Sequence, residues 1–406
     1  MDMAKNSGAM RGGGFRQVIL GLVAILIALG IGLGITRILE WGAGWRLYAS
    51  HRNAGLIWGP YSVVDHATEE FSYQARINNL GFRDRDFAVR KSSARRVLAI
   101  GDSFTYGWGV DGEDSWPKVM ERALRRGGLD IEVANLGAPG AGPREYAALA
   151  ERAIPLLRPD LVVVAVLQAD DLFQAAESPA ERPAPAGQRV LRAFREFYPN
   201  LTQMLSPADT RQVHVSKEEL RETWRKQVKD FLGQMTPAEK ARFENLPSPV
   251  RAAYQAGGLN PGLLYMAMRH GDFLIDTCDV GGKGRRGIEE TAKELSKIRR
   301  YAERAHADLV VVPVPYRAYV GRRDQAEMAE LGFHVEDEMV SWSAPDEAIH
   351  EACRRAQVQF FSVTGEFRER GRASELYFQW DGHLNQAGHG AFGELAGPTV
   401  RTRIGR

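Results

Sequence analysis

Residues 95–119, RRVLAIGDSFTYGWGVDGEDSWPKV, run a short apolar stretch into Gly101-Asp102-Ser103 and crowd aromatics and glycines behind the serine. A serine hydroxyl is a poor nucleophile until a base takes its proton, and that base needs an acceptor to fix its tautomer. Near the C-terminus, WDGHLNQAGHGAFGELA offers Asp381 and His383, separated by a single residue. If the chain end returns to the serine, these three side chains can activate a hydroxyl for acyl transfer. His389 is a rival base in the same stretch. On a plainer reading Ser103 is a turn hydroxyl, Asp102 a local cap, and Gly137 and Gly140 backbone turns only.

Such residues must be positioned by the elements around them. Residues 97–100, 131–136, 161–167, 309–314 and 358–363 are short, mostly apolar runs. Continuous apolar runs indicate strands buried on both faces, and therefore a parallel sheet. Helical stretches alternate with them. Asp114 or Ser115 can cap a helix with Pro117 in its first turn, followed by PREYAALAERAIPLL, by 288–305 and by 345–356. This alternation predicts a doubly wound α/β domain. In such a sheet, ligands bind beyond the carboxyl ends of the strands, where Ser103, NLGAPG (135–140) and LQADDL (167–172) fall. Residues 176–287 interrupt the rhythm. They open with the linker-like ESPAERPAPAGQ, continue with amphipathic patterns, and read as a mostly helical insertion that exits through GGKGRRG.

Composition excludes several classes. A formal charge of +2 over 406 residues carries no basic footprint for nucleic acid. Two cysteines, Cys278 and Cys353, cannot build a disulfide framework or a thiolate metal site, although one bridge between them stays open. No histidine–carboxylate cluster has metal spacing, so no metal and no cofactor are expected. Residues 18–35 form an uninterrupted apolar run of the length needed to span hydrocarbon as a helix. No small-x-small cleavage site follows it, which favours a retained anchor over a signal peptide. Basic residues flank the run almost equally, and Trp41 and Trp45 suit the interface beyond it. The expected organisation is a cytoplasmic tail (1–17), a transmembrane anchor (18–36), a juxtamembrane segment (37–94) and an α/β domain (95–406) with its insertion at 176–287.

GDSFT, NLGAPG and DGHLNQAGH, in this order on this strand pattern, resemble the signature blocks of the SGNH (GDSL-like) hydrolase family. The likeness covers residues 95–171 and 308–395. It implies a five-stranded parallel sheet flanked by helices, a three-layer sandwich, with a Ser-His-Asp triad. Carried over, Ser103 is the nucleophile, His383 the general base and Asp381 its orienting partner. The backbone N–H groups of Ser103 and Gly140 become oxyanion donors. Where the family places an Asn as third donor, this chain has Asp170, which when ionised can only accept. Either Asp170 is protonated at turnover, or Gln168 or another donor replaces it, or the activity is low. His389 falls where the family pattern has a following helix, as a structural histidine. Tyr106 and Trp108, so close behind the serine, are candidate substrate contacts. INNLGFRDRDF, ahead of the first strand, is similar to a pattern of membrane-anchored bacterial SGNH proteins. Some of those work beside membrane acyltransferases in polysaccharide O-acetylation. The resemblance implies a single-pass inner-membrane esterase with its domain on the periplasmic side, acting on O-acyl groups of a carbohydrate or lipid-like substrate. An O-acyltransferase of a cell-envelope polysaccharide and a scaffold that keeps the fold are the alternatives.

Overall fold

The computed structural model describes residues 11–42, 61–91, 93, 95–178, 213–214 and 216–405. Residues 1–10 of the expected tail (1–17), 43–60 of the expected juxtamembrane segment (37–94) and nearly all of the linker ESPAERPAPAGQ lie outside the described residues. The chain divides into two compact units, Met1–Arg46 with Glu181–Ala208 and Leu47–Ala180 with Asp209–Arg406. In the first, Arg11–Gly42 is a single helix. Its stretch Leu20–Leu39 is long and apolar enough to cross a membrane, a test that a signal sequence near an N-terminus also meets.

The second unit is built on a parallel sheet of five strands. They are β3 (Arg95–Gly101), β4 (Ile131–Gly137), β5 (Leu161–Leu167), β7 (Asp308–Val314) and β8 (Gln359–Phe360), in the order β4-β3-β5-β7-β8. Alternate residues of one strand feed opposite cores, as the two-residue period of a strand requires. Leu98 and Ile100 pack with helices Pro143–Leu157, Arg285–Arg304 and Ala344–Ala356. Val97 and Ala99 pack with Trp116–Arg126, Thr364–Ala373 and Gln386–Ile404. The fold is a three-layer sandwich, a five-stranded parallel sheet flanked by helices on both faces.

Two departures from the sequence reading have local causes. The fifth strand, expected over 358–363, is only Gln359–Phe360. It is an edge strand, and Thr364 Oγ1, with Ser362, turns from the ladder to the Asp346 carboxylate, Thr364 at 2.9 Å. The segment before the sheet, for which the sequence reading named no strand, contains an antiparallel hairpin, β1 (Val63–Ala67) and β2 (Ser72–Arg76). A short strand of the insertion, β6 (Val213–His214), pairs with β1.

The described part of the insertion is helical, with helices from Lys217–Gln234 to Phe273–Asp276. It has a core of its own, in which Tyr254, Leu264 and Leu274 pack with Tyr319, Met328 and Met339 from the chain after β7. The GGKG of GGKGRRG is a turn, and its RRG opens helix Arg285–Arg304. Cys278 and Cys353 are both buried free thiols.

Candidate active site

Ser103 sits at the carboxyl end of β3, as the first residue of a four-residue helical turn, Ser103–Tyr106. Asp102 caps that turn, its Oδ1 accepting from the Phe104 N–H at 2.9 Å. Gly107 closes the turn at φ +85°, a conformation that strains any residue with a Cβ. The turn packs hard against β4, because a Cβ on Gly137 would lie 2.0 Å from the Tyr106 nitrogen. Sequence reading allowed Gly137 to be a mere turn; its place is a close approach of two backbones.

The loop 377–384 returns to this turn from the far end of the chain. A bridge between Tyr377 and Leu384 closes it, and Gly382 turns it at φ +83°. Asn385 pins its base, donating from Nδ2 to the carbonyls of Glu375 (2.9 Å) and Tyr377 (3.2 Å) and capping the C-terminal helix with Oδ1. His383 Nε2 lies 2.7 Å from Ser103 Oγ, and His383 Nδ1 lies 2.5 Å from Asp381 Oδ1. An ionised carboxylate can only accept, so the proton sits on Nδ1 and Nε2 is left free to take the serine proton. The imidazole is flanked by Phe104 and Trp108, with ring centroids 4.7 and 5.9 Å away. Burial pushes the His383 pKa down. The Asp381 charge and hydrogen bond, with the charges of Asp102 and Asp170, outweigh it and hold the pKa above 6.5.

His389 is placed elsewhere. It lies fully buried in helix Gln386–Ile404 and accepts the Trp116 N–H on Nδ1 at 3.3 Å. Burial pushes its pKa down to about 3. Tyr106 and Trp108, expected as substrate contacts, are 4% and 8% exposed. Both are buried in an aromatic cluster with Phe71 and Tyr73 of the hairpin. Trp108 has another partner, donating its indole N–H to Asp381 Oδ2 at 3.3 Å.

Gly140, expected as an oxyanion donor, turns the NLGAPG loop at φ +71°. Gln168 is ruled out as a replacement donor. Its Nε2 is committed to Asp346 (2.7 Å) and Thr364 (3.1 Å), and its Oε1 accepts the Tyr316 N–H. Asp170 follows a γ-turn in which Ala169 takes φ +60°, ψ −58° and the Asp170 N–H donates to the Gln168 carbonyl at 2.7 Å. Backbone strain of this kind persists only where the surroundings impose it. The turn brings the carboxylates of Asp102, Asp170 and Asp171 within 4.8 Å of one another, a set that could hold a cation. Yet hydrogen donors already meet them. Tyr146 Oη and the Leu167 N–H serve Asp171, and Gln174 Nε2 serves Asp170 at 2.5 Å. Such a set suits shared protons. Burial first, then the Asp170 charge, raises Asp102 to about 7. Burial also raises Asp170 and Asp171.

Sequence reasoning missed two residues beside the site. Arg83, within INNLGFRDRDF, forks onto the carbonyls of Tyr106, Gly107 and Val110 behind the Ser103 turn. Glu70, between β1 and β2, accepts the backbone N–H groups of Trp380 and Asp381. An Arg among turn residues was a visible signal; a lone Glu in an unrecognised hairpin carried none.

The profile of the GDSL-like lipase/acylhydrolase family matches residues 99–266. The match runs from β3 into the insertion and ends before the loop that bears Asp381 and His383. Residues 99–266 are thus similar to the GDSL-like hydrolase family, and the enzyme class is that of hydrolases acting on ester bonds. No curated protein sequence matches it. Among solved structures, TesA is 13% identical, with 76% of this chain and 99% of that one covered and a TM-score of 0.36. The psychrotrophic esterase EstA from Pseudoalteromonas sp. is 9% identical, covering 77% and 100%, with a TM-score of 0.36. A catalytic mutant of Axe2, an acetylxylan esterase from Geobacillus stearothermophilus, is 12% identical, covering 78% and 96%, with a TM-score of 0.35. Likeness this distant carries no argument about substrate.

Proposed function

We propose that this chain is a membrane-anchored serine esterase that removes small O-acyl groups from a carbohydrate or lipid-like substrate through an acyl-Ser103 intermediate. The reading rests on one observation: Ser103 Oγ, His383 and Asp381 stand in unbroken hydrogen-bond sequence at 2.7 and 2.5 Å. Ser103 Oγ attacks the ester carbonyl as His383 Nε2 takes its proton. The tetrahedral oxyanion faces the N–H groups of Ser103 and Gly140. Collapse breaks the ester C–O bond, and His383 returns the proton to the leaving alcohol. Water, deprotonated by His383, then attacks the acyl carbon and releases the acid and Ser103. Asp381 fixes the Nδ1–H tautomer and stabilises the imidazolium. The apolar helix supports the membrane anchor, and the resemblance to membrane-anchored bacterial proteins is what favours the inner membrane with the domain on the periplasmic side.

The test is p-nitrophenyl acetate hydrolysis and fluorophosphonate labelling by detergent-solubilised full-length protein, beside Ser103→Ala. Loss of both in the variant is expected. Unlabelled, inactive wild type would leave a scaffold as the answer. Acyl release that depends on an added oligosaccharide would make the enzyme an O-acyltransferase.

A further inference from the structure

We infer that Glu70, in the turn between β1 and β2, is a positioning residue of the acid–base pair, so that the hairpin ahead of the α/β sheet is part of the catalytic apparatus. The inference rests on the roles proposed above for Ser103, His383 and Asp381. Glu70 Oε2 accepts the Asp381 N–H at 2.6 Å, and the two Glu70 oxygens accept the Trp380 N–H at 3.0 and 3.1 Å. The loop's own backbone bonds are made at Phe378, Gly382 and Asn385. The intervening N–H groups of Trp380 and Asp381 point instead at Glu70. These two peptides carry the carboxylate that orients His383, so their placement sets the angle at which Nε2 meets Ser103 Oγ.

The hairpin is shaped to present this side chain. Thr68 Oγ1 accepts the N–H groups of Glu70 (3.1 Å) and Phe71 (3.3 Å), and Thr68 N–H donates to the Phe71 carbonyl at 2.8 Å. The tight turn sends neighbouring acids opposite ways. Glu69 faces out to Lys217, at 2.9 Å, and to Arg221 of the insertion. Glu70 faces in. Holding one carboxylate beside another is electrostatically costly, and burial and the Asp381 charge both raise the Glu70 pKa. The N–H groups of Trp380 and Asp381 offset that cost at the one loop whose geometry governs the base. The aromatic cluster of Phe71, Tyr73 and Trp108 fastens the same hairpin beneath the site, with Trp108 reaching Asp381 Oδ2 from the other side. Asp381 is thus gripped at its backbone by Glu70 and at its carboxylate by Trp108.

The experiment compares full-length wild type, Glu70→Gln, Glu70→Ala and Glu69→Gln in detergent, with p-nitrophenyl acetate as the probe. Gln keeps the shape but has one accepting oxygen, and its amide opposes an N–H. We expect kcat to fall about tenfold in Glu70→Gln and about a hundredfold in Glu70→Ala, with KM nearly unchanged, as sub-ångström misplacement of a catalytic group does. The low-field NMR resonance of the His383 Nδ1 proton, assigned by its loss in His383→Gln, should shift in Glu70→Gln while the melting temperature holds. Glu69→Gln should leave all of these unchanged. Wild-type kcat and an unmoved proton resonance in Glu70→Gln would overturn the inference, as would an equal fall in Glu69→Gln. Either outcome leaves the esterase reading standing, because wild type still turns over and Ser103→Ala does not. If wild type itself is inactive, the esterase reading fails, and the proton resonance still decides whether Glu70 sets the Asp381–His383 hydrogen bond.

Discussion

Arg83 Nη1 donates to the Gly107 carbonyl at 2.6 Å, tying the segment ahead of the sheet to the loop behind the nucleophile. Nη2 reaches the Val110 carbonyl at 2.6 Å, and the guanidinium lies over the rings of Tyr73 and Tyr106. A planar fork serves several carbonyls at once, which a lysine cannot match. Arg83→Leu should therefore leave buried carbonyls unsatisfied at about 1–3 kcal/mol each, and should lower overall stability by roughly 3 kcal/mol or more. Urea denaturation measures the loss. Fluorophosphonate labelling of the folded fraction should slow as well, because the turn that presents Ser103 loosens. An Arg83→Leu protein as stable as wild type would show that the fork is incidental.

The two histidines of the C-terminal block separate by chemistry. His383→Ala should abolish turnover with the fold intact, since no other imidazole reaches Ser103 among the described residues. His389→Ala removes the acceptor of the buried Trp116 N–H and opens a space in the core. It should cost about 1–3 kcal/mol of stability with little change in kcat for the folded enzyme. Lost turnover in the His389 variant, with an unchanged melting curve, would mean that the wrong imidazole had been chosen as base.

What the sequence made legible follows from locality. Runs such as 161–167 are apolar on both faces and match β5 residue for residue, and the block order put Ser103, Asp381 and His383 forward together. The hairpin β1–β2 was opaque because its inward residues are Val64, His66, Tyr73 and Ala75, mixed in type and set among polar ones in strands of only five residues. Glu70 acts only through backbone N–H groups more than three hundred residues away, and no local pattern encodes such a partner. The burial of Tyr106 and Trp108 against the hairpin was hidden for a related reason. Their proximity to Ser103 in sequence suggested the substrate side, whereas the hairpin that buries them comes from an earlier segment.

The apolar helix makes its own prediction. Leu20–Leu39 has large side chains exposed along its length, from Leu20 and Ile25 to Ile35 and Leu39. Such a surface is stable in hydrocarbon and not in water. The full-length protein should pellet with membranes and resist carbonate extraction. A mature N-terminus found downstream of residue 39 would show that the segment is a cleaved signal.

The carboxylate group behind Ser103 sets the expected response to pH. Asp102, only 3% exposed, holds its proton up to about 7 in the folded state, because burial and then the Asp170 charge oppose ionisation. Unfolded, it loses that proton near 3.8. Between these values the folded state binds more protons, so stability falls as pH rises. This contribution is fully present below about 3.8 and lost as pH climbs through about 7. Activity runs the other way at first. The general base must be neutral, so kcat/KM should rise with pH through a His383 pKa held above 6.5. Asp170→Asn touches both. Removing the Asp170 charge lowers Asp102 and His383 together, which flattens the fall of melting temperature between about pH 4 and 7 and moves the acidic limb of the rate profile down. The new amide also offers a donor where the carboxylate could only accept. In an oxyanion hole short of one donor, kcat should rise about ten- to a hundredfold, given what such donors contribute. Melting curves across pH and a pH–rate profile with p-nitrophenyl acetate read both effects in one variant. A fall in kcat would mean that the carboxyl of Asp170 is itself used, as an acid that keeps its proton to donate. An unchanged kcat with a shifted melting profile would confine Asp170 to the electrostatics of Asp102 and remove it from the oxyanion.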